Sequence, residues 1–289
     1  MKVSSQDIKS HPIIGQNVDD ITINTRTFVV WALDIDFNID SIWKNVRVSK
    51  TLQSSTTDAV ICMMSYNGEK KGSLKKREHS KPFKSVLSLD VQFKNKMPNV
   101  KVSRKNTLQV TGVCSIQLLM ELLQSFVLQY SGQGITAGQC AGFVADIVLS
   151  NVYFRLPATL NRHRVSKAVQ DSGQYVVSFE EITRDASISI RNYKRQLPNN
   201  GDIYSLWYTG SSEINMIDRK QLETLRPNLS RRTQFDVHTF RVFKSGSVVH
   251  IGRWPSSMAI EKHNIIRLIT RSIGHCLRQT CIQKYLTKQ

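Results

Sequence analysis

Two stretches of this chain alternate apolar and polar residues with the period of two that marks a half-buried strand. In the first, Val100, Val102, Leu108 and Val110 fall on one face. Lys101, Ser103, Gln109 and Thr111 fall on the other, and the polar break Arg104-Lys105-Asn106 lies between the two runs. The pattern predicts a hairpin. Residues 241–252 repeat the design around Lys244-Ser245-Gly246, with Arg241, Phe243, Val249 and Ile251 sharing one face. Arg104, Asn106 and Gly112 line up with Lys244, Gly246 and Gly252 at one constant spacing. Asn and Gly at the matching turn position make physical sense, because both tolerate a left-handed backbone.

The rest of the chain follows a similar order twice. Strands are predicted over 20–30 and from Asp146 onward, and each leads to a helix-like segment, 38–46 and 161–169, opened by Asn38 or Asn161 at the cap position. Further strands are predicted over 58–66, 85–93, 175–179 and 186–191, with a basic loop at 69–77 and a longer insert at 192–201. Residues 116–130 form a helix apolar round most of its circumference, so it should be buried against a sheet. A last helical stretch is expected over 258–285. The arrangement reads as one repeat present twice: a tail 1–18, a first repeat 19–134, a Gly-rich linker 135–145 and a second repeat 146–289. The class is α+β.

Charge narrows the partner. The 289 residues carry 40 Lys+Arg against 22 Asp+Glu, a formal charge of +18. An excess of that size points to a polyanion, with nucleic acid favoured over a membrane surface. There is no apolar run long enough to span a bilayer and no charged-then-apolar start, and the five cysteines are scattered without a paired motif, so an intracellular protein with reduced thiols is expected. Asp34-x-Asp36-x-Asn38-x-Asp40 imitates the start of a calcium loop but lacks its glycine and its closing glutamate. The histidines and cysteines have no zinc spacing, and no nucleophile elbow, P-loop or zincin helix occurs. The expectation is a non-enzyme without metal or cofactor.

The two hairpins, "NVKVSRKNTLQVTGVCS" and "FRVFKSGSVVHIGRW", resemble the paired signature of TATA-box-binding proteins, most of all the divergent forms found in large DNA viruses. Lys81-Pro82-Phe83 running into apolar residues is similar to another strand of that family. The resemblance implies a saddle: two tandem repeats forming one curved antiparallel sheet, with helices on the convex side and the concave face on the minor groove of double-stranded promoter DNA. In that family phenylalanines wedge between base steps and kink the duplex. Carried across, Phe243 and Phe83 take wedge positions, and Val249 and Ile251 the base-contacting ones. Gln109 and Thr111 match these in the first hairpin, but Ser103 stands at its wedge position and Lys101 where the family has Leu. Asp20 and Asp146 stand where family strands begin with Asn.

The implied function is a general transcription-initiation factor that binds and bends A/T-rich promoter DNA and recruits transcription factors or polymerase subunits. A viral protein of this kind works in the host nucleus or in a cytoplasmic viral factory. Lys94, Lys96, Arg104, Lys105, Arg231, Arg232, Lys244 and Arg253 are phosphate candidates in or beside the hairpins, and Arg241 is a further DNA-binding candidate on the hairpin face. The alternative is an adaptor of the same fold, or a charge-driven nucleic-acid binder without sequence readout.

Overall fold

The structure is a computed structural model that describes residues 22–49, 56–72, 85–155, 160–171, 173, 175–179, 187–195, 203–207, 212–225 and 235–252. The tail, Phe83, most of the basic loop, Arg231, Arg232, Arg253 and the helix expected over 258–285 lie outside the described residues. Among the described residues thirteen strands hydrogen-bond into one large, mainly antiparallel sheet accompanied by a few helices, an α+β arrangement. The chain divides into two compact units. The first comprises Thr25–Val148 with Gly201–Ser230, and the second comprises Met1–Asn24, Leu149–Asn200 and Arg231–Gln289.

In the first unit the strands are β1 (Thr22–Phe37), β2 (Val60–Tyr66), β3 (Glu69–Lys71), β4 (Val86–Gln92), β5 (Asn99–Ser103) and β6 (Thr107–Val113), in the order β3-β2-β4-β5-β6-β1. The hairpin β5–β6 has the predicted register: Lys101 faces Gln109 and Ser103 faces Thr107. Its turn closes on Asn106 at φ 52°, the left-handed conformation expected there. Two helices cover one face of these strands. Helix α1 (Ile39–Asn45) starts at Asn38, whose side chain accepts the Ser41 N–H at 2.9 Å. Helix α2 (Ile116–Gln129) starts at Ser115, whose hydroxyl accepts the Leu118 N–H at 3.1 Å. Such a cap stabilises a helix by about 1 kcal/mol.

The predicted apolar sides meet beneath these helices. Val100, Val102, Leu108 and Val110 are buried with Phe28, Val30, Leu119, Leu123 and Phe126. Each such side chain contributes about 1.5–3 kcal/mol through burial. Polar ties fix α2 to β2: the Tyr130 hydroxyl accepts the Ile61 N–H at 3.0 Å, and Ser125 accepts the Ala59 N–H at 2.8 Å.

In the second unit, part of the long strand β7 (Ile135–Arg155) pairs with β13 (Ser247–Gly252), from Ser150↔Gly252 to Arg155↔Ser247. Beyond β13 come β12 (Phe235–Val242), β9 (Ile188–Arg195) and β8 (Val176–Phe179). Helix α3 (Arg162–Asp171) opens at Asn161, whose side chain accepts the Arg164 N–H at 3.2 Å. Its Val165 and Val169 pack on Val152, Ile188, Ile190, Phe240, Val242 and Val248.

Three features depart from the sequence expectation. Residues 135–145, read as a Gly-rich linker, are the first part of β7. Glycine serves close approach there: a Cβ on Gly138 would stand 2.1 Å from Asp34 Oδ2, and one on Gly142 would stand 2.8 Å from Trp207 Cε3. Next, the chain between β9 and β12 forms β10 (Ile203–Trp207), β11 (Ile214–Ile217) and α4 (Arg219–Leu225), and this insert belongs to the first unit. Strand β10 pairs with Gly142 to Asp146 of β7, so Asp146 lies inside a strand opposite Ile203 and does not begin one.

Last, not every helix is on the same side. Leu222 of α4 and Ile217 are buried with Val144, and Trp31 and Leu33 pack against them. Trp31 lies opposite Thr107 and alternates with the buried Val30 and Ala32, so α4 lies on part of the face of the first unit opposite to α1 and α2, on its β1 side away from the β5–β6 hairpin.

Candidate nucleic-acid interface

Strand periodicity sends the residues between core positions to the other side of each unit's strands. In the first unit this open face carries Thr27, Val29, Trp31 and Leu33 from β1, Thr107, Gln109 and Thr111 from β6, Lys101 and Ser103 from β5, and Ser88 from β4. Gln109 is exposed, while Lys101, Ser103 and Thr111 are half-buried. The four residues expected on one face are therefore brought together. The face is hydrophilic at its hairpin and apolar along β1, where α4 rests on Trp31 and Leu33.

An acid also lies on it. Asp90 is buried opposite Asn99, whose side-chain amide donates to Asp90 Oδ1 at 2.9 Å and to Ser88 Oγ at 3.0 Å. A buried carboxylate repels phosphate and attracts donors, so this part of the face suits groove-edge contacts less than the hairpin does.

In the second unit the open face carries Val249, Ile251, Thr239 and Arg241 from the β12–β13 hairpin, with Asn151 and Tyr153 of β7 beside them. Val249 and Ile251 are half-buried and Arg241 is exposed. Phe243 is half-buried at the start of the turn, where its N–H donates to the Ser247 carbonyl at 2.9 Å and its carbonyl accepts from Gly246 at 3.1 Å. Gly246 has φ 83°, as the turn requires. Gly252 matches Gly112 in sequence but not in backbone: Gly112 has φ 93°, whereas Gly252 makes room for His238 and His250, its missing Cβ lying 2.6 Å from His238 Nδ1.

The phosphate candidates divide by surroundings. Lys105 and Lys244 are exposed at the two turns. Lys94, by contrast, forms an ion pair with Glu121 of α2 on the helix side, and Arg104 donates to the Tyr66 hydroxyl at 3.0 Å. The Lys94 ammonium holds the Glu121 carboxyl below its ordinary range. Lys71, in the segment read as a loop, donates to the Trp43 carbonyl and sits 4.5 Å over the Trp43 ring.

Several contributors to the open faces were not singled out from sequence. Trp31, Leu33 and Thr27 lie on β1, whose alternation with Phe28, Val30 and Ala32 was the available signal. Asn151 stands opposite Ile251, and its Oδ1 is buried without a hydrogen bond among the described residues. Tyr153 was equally unsuspected; its hydroxyl lies 3.0 Å from Ser247 Oγ.

Elsewhere, a shallow hollow of about 570 Å³ lies beside α2, lined by Phe93, Lys94, Glu121 and Leu128 among others. Among the described residues no cluster of three or more His, Cys, Asp or Glu is placed to hold a metal, and no helix is long and apolar enough to cross a membrane. No protein-family model matches this chain, and no curated protein compared with it matches.

Proposed function

We propose that this protein is a DNA-binding transcription-initiation factor built as two TATA-box-binding-protein-like repeats, which binds and bends A/T-rich promoter duplexes through the minor groove and recruits transcription machinery. The observation that carries the reading is a shared strand order. In the first unit β2-β4-β5-β6-β1 follow one another across the sheet, with α1 between β1 and β2 in sequence. In the second, β8-β9-β12-β13-β7 do the same, with α3 between β7 and β8. Each set ends in a hairpin whose alternate residues leave the core on the side away from α1 and α2, or away from α3. That supports a duplicated ancestor and a pair of open faces, as a saddle requires.

The chemistry fits a minor groove. Its A·T floor presents acceptors and no amino donor, so small apolar side chains such as Val249 and Ile251 complement it, while Lys105, Arg241 and Lys244 supply charge for the phosphates. The test is selection from a random duplex library at low and high salt. The expected result is an A/T-rich sequence retained at both.

A second reading is favoured by one observation, the hydrophilic hairpin of the first unit. With Lys101, Ser103 and Gln109 on its open face, that unit suits charge-driven binding without sequence readout. Binding that falls steeply with salt and enriches no sequence would select this alternative.

A further inference from the structure

Among the described residues of the first unit, the long apolar run on the open face is that of β1, and α4 lies on it. Leu222 is buried and Leu225 partly buried against the patch that includes Trp31, Leu33 and Val144. The same strand borders β6, where Trp31 pairs with Thr107 and Val29 with Gln109. Any duplex laid along the β5–β6 hairpin therefore meets α4 at the adjoining strand.

We infer that α4 is an autoinhibitory strap, an internal occupant of the apolar strip that a minor groove would otherwise contact. The inference rests on the DNA reading above.

Its seating does not come from helix length. A seven-residue helix is far below the length that stands alone in water, so α4 is held by what its few apolar side chains bury. Two leucines and Ile217 supply that hold, together with a reciprocal cap in which the Gln221 N–H donates to Asp218 Oδ1 at 2.9 Å and the Asp218 N–H donates to Gln221 Oε1 at 2.8 Å. The insert is also unsuited to act as a phosphate clamp: residues 212–225 carry Glu213, Asp218 and Glu223 against Arg219 and Lys220, in a chain with a formal charge of +18. With α4 seated, the first unit offers a duplex mainly the polar hairpin. With α4 displaced, Trp31 and Leu33 join Val29 as a continuous apolar strip beside Gln109. The strap thus makes A/T preference conditional on displacement.

The experiment uses the full chain and two duplexes, one A/T-rich and one G/C-rich, with affinity read by fluorescence anisotropy. In L222Q/L225Q the hold on the strip is weakened without adding charge. A strap seated nine-tenths of the time would lower apparent affinity about tenfold, so the variant should favour the A/T-rich duplex over the G/C-rich one by about tenfold more than the parent does. Because the double variant could destabilise the first unit, amide hydrogen exchange is measured on the unaltered protein as well. Exchange in residues 219–225 should accelerate when the A/T-rich duplex is added. Parent-like preference in a folded variant, or slower exchange in α4 on adding DNA, overturns the strap and leaves the DNA reading intact. Absence of duplex binding by both parent and variant overturns the DNA reading itself.

Discussion

His238 Nδ1 lies 3.1 Å from His250 Nε2 inside the β12–β13 hairpin. His250 is fully buried, with Phe240 tilted against it at 4.7 Å between ring centroids. Burial, and secondarily the neighbouring His238, hold the His250 imidazole well below its ordinary 6.5. The unfolded chain therefore takes up a proton that the folded chain refuses. Stability from this group is complete above about pH 6.5 and declines as pH falls below it, by up to about 1.4 kcal/mol per pH unit. Urea unfolding at pH 7.5 and 5.5 should show that decline, and His250→Leu should flatten it. Equal pH dependence in parent and variant would count against His250 as the source.

Asn106 joins the first hairpin to β1 by three links. Its Oδ1 accepts the Phe37 N–H at 3.2 Å, its Nδ2 donates to Asp36 at 3.0 Å, and its carbonyl accepts the Ala32 N–H at 3.1 Å. It also occupies a left-handed backbone at φ 52°. Asn106→Ala loses the side-chain links and strains the turn, and should destabilise by about 1–3 kcal/mol. Asn106→Gly loses the links but relieves the backbone, so it should fall between Ala and the parent. The denaturation midpoints of the three proteins give the ranking, and Gly below Ala would contradict it.

Charge at the turns is expected to act without regard to sequence. Reversing Lys105 and Lys244 to Glu should weaken binding to A/T-rich and G/C-rich duplexes alike. Every lysine–phosphate pairing removed should make the fall of log affinity with log salt shallower by about 0.9. If titrations at several salt concentrations gave unchanged slopes, these lysines would be solvated turn residues and nothing more.

Bending is expected to be lopsided. Phe243 at the second hairpin has only Ser103 as its counterpart in the first, and a hydroxyl cannot wedge between bases. Unstacking a step requires about a few kcal/mol, which an inserted ring must offset. Energy transfer between end-labelled fluorophores should show less bending with Phe243→Ala than with Phe83→Ala, and more with Ser103→Phe. Identical transfer in all of them would mean that no ring inserts.

What the sequence revealed was what is local. Both hairpins were legible because each strand's neighbour lies a few residues away and the period of two is undisturbed, so Val102 and Leu108 declare their partners. Asn38 and Asn161 announced helix starts for the same reason. The first part of β7, residues 135–145, was not legible, because Gly138 and Gly142 read as looseness, whereas the strand from Asp146 onward was. Both glycines are required by Asp34 and Trp207, and neither close approach can be seen along the chain. Helix α4 was hidden differently. Seven residues carry too few turns to show a period, and its burial depends on Trp31 and Leu33, nearly two hundred positions away.

The position of the insert has a consequence for synthesis. A ribosome releases Trp31, Leu33 and Val144 long before residues 203–225, which pair with β7 and cover that patch. Throughout that interval the growing chain carries an uncovered apolar strip and an unpaired strand edge at residues 142–146, the two features that most readily recruit another chain. Premature termination near residue 200 would leave both permanently exposed. Such fragments should be aggregation-prone, which makes the last third of the message a condition for the solubility of the first.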